Sequence, residues 1–252
     1  MKEIHIVMIL IVAIILSTQF TIFGTSYASE ITFYTEKDQP FGVTLGQWIE
    51  KYWAWWIKVP LSDFDESTMK PISNCLMNKS ESMVLLMELT VKGNPHQECT
   101  ISGKQGIIVP IWTGYWYETD ADMKKNNWTD DYLLMNARTG SNAGEIDGEV
   151  KIDGAVIANV HAISDPSGVK YTLKENITEV GAKGFKLTFP ANGHTGVPEG
   201  TYPSAVHGWF VFVKPLKEGD HTISYNVGVG EGQKKDLNKA RTEVNYLIHV
   251  TN

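Results

Sequence analysis

Apolar and polar residues alternate over many short stretches of this chain, and turn-forming residues separate those stretches. A period of two residues is typical of β-strands that bury one face. Asp153 and Gly154 separate two of the stretches, and this dipeptide is a strong hairpin signal. We therefore predict a mainly β fold, an antiparallel β sandwich or jelly roll. The predicted strands cover residues 31–35, 83–91, 105–112, 148–152, 155–163, 170–173, 185–189, 206–213, 221–229 and 244–250.

One apolar helix is predicted between Thr44 and Pro60. Thr44 and Gln47 have the spacing of a capping box, and Pro60 stops a helix because it lacks an amide proton. The helix is apolar on two adjacent faces, which indicates that it is buried or docked on a partner. A long loop is predicted at residues 63–82, and a short helix at residues 128–138. The apolar helix holds four of the eight tryptophans, namely Trp48, Trp53, Trp55 and Trp56.

Residues 1–28 have the pattern of a secretory signal peptide. An apolar run at residues 6–16 precedes small residues at positions 26 and 28, which place the cut after Ala28. The remaining chain, residues 29–252, is then expected to be a single secreted β-sandwich domain. An uncleaved membrane anchor is the alternative, because no charged side chain occurs from Ile4 to Ser29.

The composition narrows the class of protein. The 252 residues are 42% hydrophobic and carry a net charge of −7. This apolar fraction supports a folded core, and the negative charge argues against a nucleic-acid partner. The two cysteines, Cys75 and Cys99, are expected to form a disulfide in an exported chain. The alternative is a metal site that uses His96 and Cys99.

Three Asn-X-Ser/Thr sequons occur in the chain. In an exported protein each sequon is a candidate glycosylation site. Chance occurrence is the alternative explanation, because such triplets are common in chains of this length. The three acceptor residues are Asn78, Asn127 and Asn176.

Four aromatic residues lie close together at the end of the strand predicted at residues 105–112. Gly114 provides a turn that can splay the rings, so the group is a candidate sugar-binding surface. Core packing beneath the long loop is the alternative interpretation. The four residues are Trp112, Tyr115, Trp116 and Tyr117.

Carboxylates follow this aromatic group at Glu118, Asp120 and Asp122. Such residues can converge on Ca²⁺, which takes roughly six to eight oxygen ligands. An ordinary solvated loop is the alternative, because the glycine and closing glutamate of an EF-hand are missing. Asp130 and Asp131 extend the acidic region, and a carboxylate pair there is the basis of a glycoside hydrolase hypothesis.

Other catalytic and cofactor-binding patterns are missing from the sequence. It lacks the motifs of nucleophilic hydrolases, phosphate-binding loops and dinucleotide-binding folds. We therefore expect no cofactor apart from the candidate calcium ion. His194, His207 and His221 are interpreted as structural histidines. His207 and His221 approach each other if their predicted strands pair, which leaves a metal site as the alternative.

Several motifs together resemble a known group of proteins. Residues 46–56 resemble the G-x-W-x-x-x-W-W-x-W segment of a group of secreted archaeal and bacterial proteins with no established function. Three further segments also resemble segments of this group, namely residues 98–104, 152–154 and 205–223. In that group an arginine precedes the second cysteine, whereas Glu98 stands there in this chain. The resemblance implies no activity.

These features favour a secreted or cell-surface protein that binds a glycan or a partner protein through aromatic residues and has no catalytic activity. The export signal and the tryptophan-rich segments are the observations behind this prediction. Two alternatives stay open: a polysaccharide hydrolase that uses carboxylates, and a structural component of the cell envelope. Contact with a membrane is expected only through an uncleaved N-terminal segment.

Overall fold

The structure is a computed structural model. Its described part contains two β-sheets, three α-helices and two short 3-10 helices, Pro40–Gly42 and Leu61–Asp63. Residues 31–252 belong to one compact unit. The predicted signal peptide, residues 1–28, lies outside the described residues. Those residues are 31–65, 70–87, 95–141, 145–165, 168–173, 176–230 and 241–252.

The strands form two mixed sheets. They are β1 (Met77–Asn78), β2 (Met83–Leu86), β3 (His96–Ser102), β4 (Gly106–Tyr117), β5 (Glu145–Ile152), β6 (Ala155–Asp165), β7 (Gly168–Leu173), β8 (Thr178–Phe189), β9 (Gly200–Val213), β10 (Gly219–Gly230) and β11 (Arg241–Thr251). The five-stranded sheet has the order β1-β2-β4-β9-β8, and the six-stranded sheet has the order β3-β11-β10-β5-β6-β7. Neighbouring strands are antiparallel except for the parallel pairs β2–β4 and β3–β11.

The predicted mainly β, sandwich-like fold is confirmed. Nine of the predicted strands are present, and Asp153 and Gly154 adopt positive φ angles of 51° and 79° in the hairpin between β5 and β6. Phe33, in the strand predicted at residues 31–35, forms only an isolated bridge with Val213. The prediction missed β3 and also β1, which lies inside the segment predicted to be a loop.

Three α-helices accompany the sheets: α1 (Leu45–Trp56), α2 (Asp120–Asn126) and α3 (Asp130–Ser141). The predicted capping box of α1 is present, since Gln47 N donates to Thr44 Oγ1 at 3.2 Å and Thr44 N donates to Gln47 Oε1 at 3.0 Å. The helix predicted at residues 128–138 corresponds to α3. Among the described helices, none is long and apolar enough to cross a membrane.

Helix α1 packs against one face of the five-stranded sheet. Trp48, Trp53 and Trp56 are buried in the core, so most of the tryptophan cluster is structural. The Tyr52 ring lies edge-on to Phe210 of β9 at 5.8 Å, and Trp53 contacts Tyr115 of β4 at 4.8 Å between ring centroids. Burial of aromatic side chains of this size is a large source of stability.

Helix α3 covers the opposite face of the same sheet. Leu133 and Ala137 of α3 form a small buried cluster with Ala205 of β9. Successive side chains of a strand point to opposite faces. Ala205 and Phe210 have opposite parity on β9, and they contact α3 and α1 respectively. The two helices therefore lie on opposite sides of β9.

The edge of the five-stranded sheet is joined to the six-stranded sheet by a covalent bond and two hydroxyl groups. The predicted disulfide between Cys75, just before β1, and Cys99 of β3 is confirmed. The Tyr225 hydroxyl donates to Met87 O at 2.6 Å, and the Tyr246 hydroxyl donates to Leu76 O at 2.5 Å. These bonds satisfy buried polar groups between the sheets and fix the position of β1 and β2.

Trp53→Ala should lower the free energy of unfolding by about 3–5 kcal/mol, because it removes a fully packed indole from the core. Trp55→Ala is the matched control, since Trp55 lies on the same helix but is only half-buried. Denaturant titration followed by circular dichroism measures both values. Equal losses for the two variants would contradict the assigned burial.

Candidate functional site

The four predicted aromatic site residues do not share one face. All four lie on β4, and alternation along the strand separates Tyr115 and Tyr117 from Trp112 and Trp116. Tyr115 and Tyr117 are stacked on each other and packed against Phe189, so they belong to the aromatic layer beneath α1. Trp112 is half-buried against the core, and Trp116 is 37% exposed.

The acidic residues predicted to bind calcium lie at the start of α2, and each has a protein partner. Glu118 Oε1 accepts a hydrogen bond from Trp116 Nε1 at 3.1 Å, and Asp120 forms an ion pair with Lys186 at 2.8 Å. Asp122 Oδ2 accepts from the Thr119 hydroxyl at 2.6 Å, within the cap of the helix. The described residues contain no group of three or more His, Cys, Asp or Glu side chains placed to hold a metal ion.

The three sequons differ in the environment of their acceptor side chains. Asn127 is exposed at the end of α2, in a left-handed conformation with φ of 54°. Asn78 is half-buried, and its Oδ1 accepts from Ser80 Oγ and Ser80 N. The Asn176 Nδ2 already donates to Ile157 O at 2.8 Å. Asn127 is therefore the sequon whose acceptor is most accessible in the folded chain.

His207 and His221 do not approach through strand pairing, because β9 and β10 belong to different sheets. His221 lies 2.8 Å from Asp153 and 3.0 Å from Lys217 O, and it stabilises the β5–β6 hairpin. His194 Nδ1 donates to Val59 O at 2.9 Å, and its ring packs edge-on against Trp56 at 4.8 Å. These two histidines therefore have structural partners.

A cleft of about 900 Å³ lies beside β9, at the junction of three segments. Strand β8 pairs with β9 as far as Thr178 opposite Phe210, and Phe33 then bridges Val213 farther along β9. The cleft opens between this N-terminal segment, the start of β8 and helix α3. Its apolar walls are formed by Phe33, Tyr34, Leu134, Met135 and Ile177.

Polar side chains form the rest of the cleft, and three of them are bonded to one another. Glu179 Oε1 lies 2.9 Å from His207 Nε2 and 2.9 Å from Arg138 Nη2. Asp131, two turns before Arg138 on the same face of α3, forms an ion pair with Lys183. The cleft is also lined by Thr35, Glu36, Asn176 and Thr178.

His207 is the buried group of this cleft, with only 4% of its surface exposed. Its Nε2 faces Glu179, while its Nδ1 is buried without a hydrogen-bond partner among the described residues. A proton on Nδ1 would be buried and unsatisfied, which costs free energy. Because a carboxylate oxygen can only accept, Nε2 carries the proton of this bond, donates to Glu179 and fixes the carboxylate in place.

Phe33 and Tyr34 form the aromatic wall of the cleft, and a tight turn at Thr35–Asp38 follows them. Thr35 N and Thr35 Oγ1 both donate to Asp38 Oδ2, at 2.6 and 2.9 Å, and these bonds lower the pKa of Asp38. Burial raises the pKa of Tyr34, with the charge of Asp38 as the second cause, so the Tyr34 hydroxyl stays protonated at neutral pH.

Phe41 lies beside this wall in a strained conformation. Its φ of 56° falls in the left-handed region, which costs a non-glycine residue about 1–3 kcal/mol. The Phe41 ring is 46% exposed and lies 6.4 Å from the Tyr34 ring, edge to face. The buried Trp48 of α1 holds the turn, because its Nε1 donates to Pro40 O at 3.0 Å.

The sequence contained little signal for this cleft. His207 was a candidate histidine, but Glu179 and Arg138 lie in separate elements and match no local motif. Strand β9 and the packing of α3 bring the three together. Alternation along β9 was the signal that could have placed His207 and Ala205 on one face.

Comparison with known protein families, curated proteins and solved structures gives no match for this chain. The geometry of the cleft therefore carries the functional argument.

The free energy of unfolding should fall as the pH drops below about 6.5, the ordinary pKa of histidine, because of His194. Burial lowers the pKa of His194, against the weaker opposing effect of its bond to Val59 O. The unfolded chain then binds a proton at a pH where the folded chain does not. His194→Asn should weaken this pH dependence, measured by denaturant unfolding at pH 5 and pH 7.

His249→Gln is the control, because the pKa of His249 is shifted in the opposite direction to that of His194. Hydrogen bonds to Asp220 and then Glu98 raise the pKa of His249. Its contribution to stability is present below the ordinary pKa and is lost as the pH rises through the raised value. This variant should therefore lose more stability at pH 5 than at pH 8. If both variants changed the pH dependence of the free energy of unfolding in the same direction, the environments assigned to His194 and His249 would be wrong.

Proposed function

We propose that the protein is an exported, non-catalytic binding protein whose ligand, a glycan or a segment of a partner protein, occupies the cleft above His207. The cleft is the observation that carries this proposal. Its volume of about 900 Å³ lies in the range of roughly 300–1,000 Å³ that is usual for ligand sites. Apolar walls and a small number of oriented polar groups are the features by which such sites bind and select ligands.

The polar floor of the cleft supports binding because it is already organised. Glu179 is held from two sides by Arg138 and His207, and Asp131 is held by Lys183. Groups that are fixed before the ligand arrives lose little conformational entropy when it binds. Met135, which is 57% exposed on α3, adds an apolar side chain to the opposite wall.

The same contacts favour binding over glycoside hydrolysis. A hydrolase needs one carboxylic acid that keeps its proton at neutral pH, and burial away from cations produces that state. Glu179 and Asp131 instead form ion pairs with Arg138 and Lys183, so neither carboxyl group stands away from cations. We therefore expect no increase in reducing ends when the protein is incubated with polysaccharides.

Export is supported by two features of the chain. The first is the predicted signal peptide at residues 1–28. The second is the disulfide between Cys75 and Cys99, since such bonds persist in oxidising compartments outside the cytosol. A binding protein on the cell surface is consistent with both.

Gly181→Trp should abolish ligand capture, because Gly181 lines the cleft opposite His207. A side chain at this position lies against Leu134 and His207, in the space of the ligand. The immobilised protein is tested on a glycan array and in pull-downs from an extract of the cell surface. Captured glycan or protein is compared between the original chain and the variant.

Thr188→Trp is the control, since it places the same side chain at an exposed position on the same strand outside the cleft. It should leave capture unchanged, and circular dichroism should show both variants folded. Capture that survives in Gly181→Trp, or no capture by the original chain on either platform, would refute the proposed function.

A further inference from the structure

We infer that the ligand of the cleft is a neutral glycan, bound with its sugar rings against Tyr34 and Phe41 and its hydroxyl groups on the polar floor. This inference rests on the proposed function and adds the chemical class of the ligand. Three observations carry it: the mixture of groups that line the cleft, the balance of its charges, and the exposed ring of Phe41.

The lining of the cleft matches a polyhydroxylated ligand. More than half of the lining residues have polar side chains, and they offer both hydrogen-bond donors and acceptors. Asn176 lies at one side of the cleft, and Arg138 lies at the other. A sugar unit presents hydroxyl groups at its edge and an apolar face of C–H groups, which pack against aromatic rings. A purely hydrophobic ligand would leave these polar groups without partners.

The charges of the cleft disfavour an acidic ligand. Arg138 is paired with Glu179, and Lys183 is paired with Asp131. Lys214 lies over the Tyr34 ring, 5.4 Å from its centroid, and interacts electrostatically with Asp38, so each of these cations has a carboxylate nearby. Glu36 adds a further carboxylate at the exposed side of the cleft. The cleft therefore has a negative balance, which repels uronic acids, sulfated sugars and phosphate groups.

Phe41 extends the aromatic wall beyond the cleft. The ring is exposed next to Tyr34, although its backbone is in the left-handed region. Strain of this kind persists where the surrounding structure enforces it, and Trp48 does so through its bond to Pro40 O. A second sugar unit that leaves the cleft can pack against this ring. The site then binds a chain of sugar units rather than one small molecule.

Direct binding to defined oligosaccharides tests the inference. The probes are neutral hexasaccharides built from glucose, mannose or galactose, acidic hexasaccharides built from uronic acids, and basic hexasaccharides with free amines. Isothermal titration calorimetry or surface plasmon resonance measures the dissociation constants. We expect at least one neutral probe to bind, and to bind at least about tenfold more tightly than the acidic probes.

Phe41→Gly separates binding from folding. Glycine adopts positive φ angles without strain, so this variant should be at least as thermally stable as the original chain. Its affinity for the neutral probe should nevertheless fall about threefold to tenfold, because a stacking surface is lost. Ile72→Gly is the control, since it removes an exposed apolar side chain outside the cleft and should leave the affinity unchanged.

Glu36→Gln tests the charge argument. Removal of this carboxylate should lower the preference for neutral over acidic probes about threefold or more, at low ionic strength. Glu199→Gln is the matched control, because Glu199 is an exposed glutamate that does not line the cleft. An unchanged preference in Glu36→Gln would overturn the role assigned to that charge.

The failure of this inference can be distinguished from failure of the proposed function. Acidic or basic probes that bind as tightly as the neutral ones would overturn the neutral class. Capture of a protein from the surface extract that is lost in Gly181→Trp, together with no binding of any neutral probe, would overturn the glycan and keep the proposed function. Binding of a neutral probe that Phe41→Gly leaves unchanged would overturn the assigned binding mode.

Discussion

The packing of α1 against one face of the five-stranded sheet is the contact on which the rest of the structure depends. Its three buried tryptophans form the helix side of the aromatic core there, and Tyr52 and Trp53 contact β9 and β4 directly. The same helix also fixes the turn before it, outside the core. Trp48 holds the turn that presents Phe41 beside the cleft, so the core and the candidate site share one helix.

Most of the fold could be predicted because the local signals agreed with the final structure. The capping box of Thr44 and the hairpin at Asp153 and Gly154 are short-range features, and each appears where the sequence indicates. Strand β3 was missed because its buried positions include Gln97 and Cys99, which weaken the apolar alternation. The start of α2 was assigned to an acidic loop, although Thr119 caps it and aspartates suit the first turn of a helix.

The candidate site was much less predictable than the fold. Its floor joins Arg138, Glu179 and His207, which come from a helix and two strands that are distant in the sequence. No spacing rule links such residues, because only the pairing of β8 with β9 and the packing of α3 place them together. The aromatic stretch on β4 was conspicuous in the sequence, but strand alternation divides its rings between two faces.

Strand β9 serves two roles that are separated by the direction of its side chains. His207 faces the cleft and α3, whereas Phe210 faces the aromatic layer under α1. A substitution on one face therefore leaves the packing of the other face largely intact. Mutational drift or deliberate engineering can alter ligand preference at the floor and rim of the cleft while the tryptophan layer keeps the scaffold folded. This arrangement makes the chain a suitable framework for evolving new specificities.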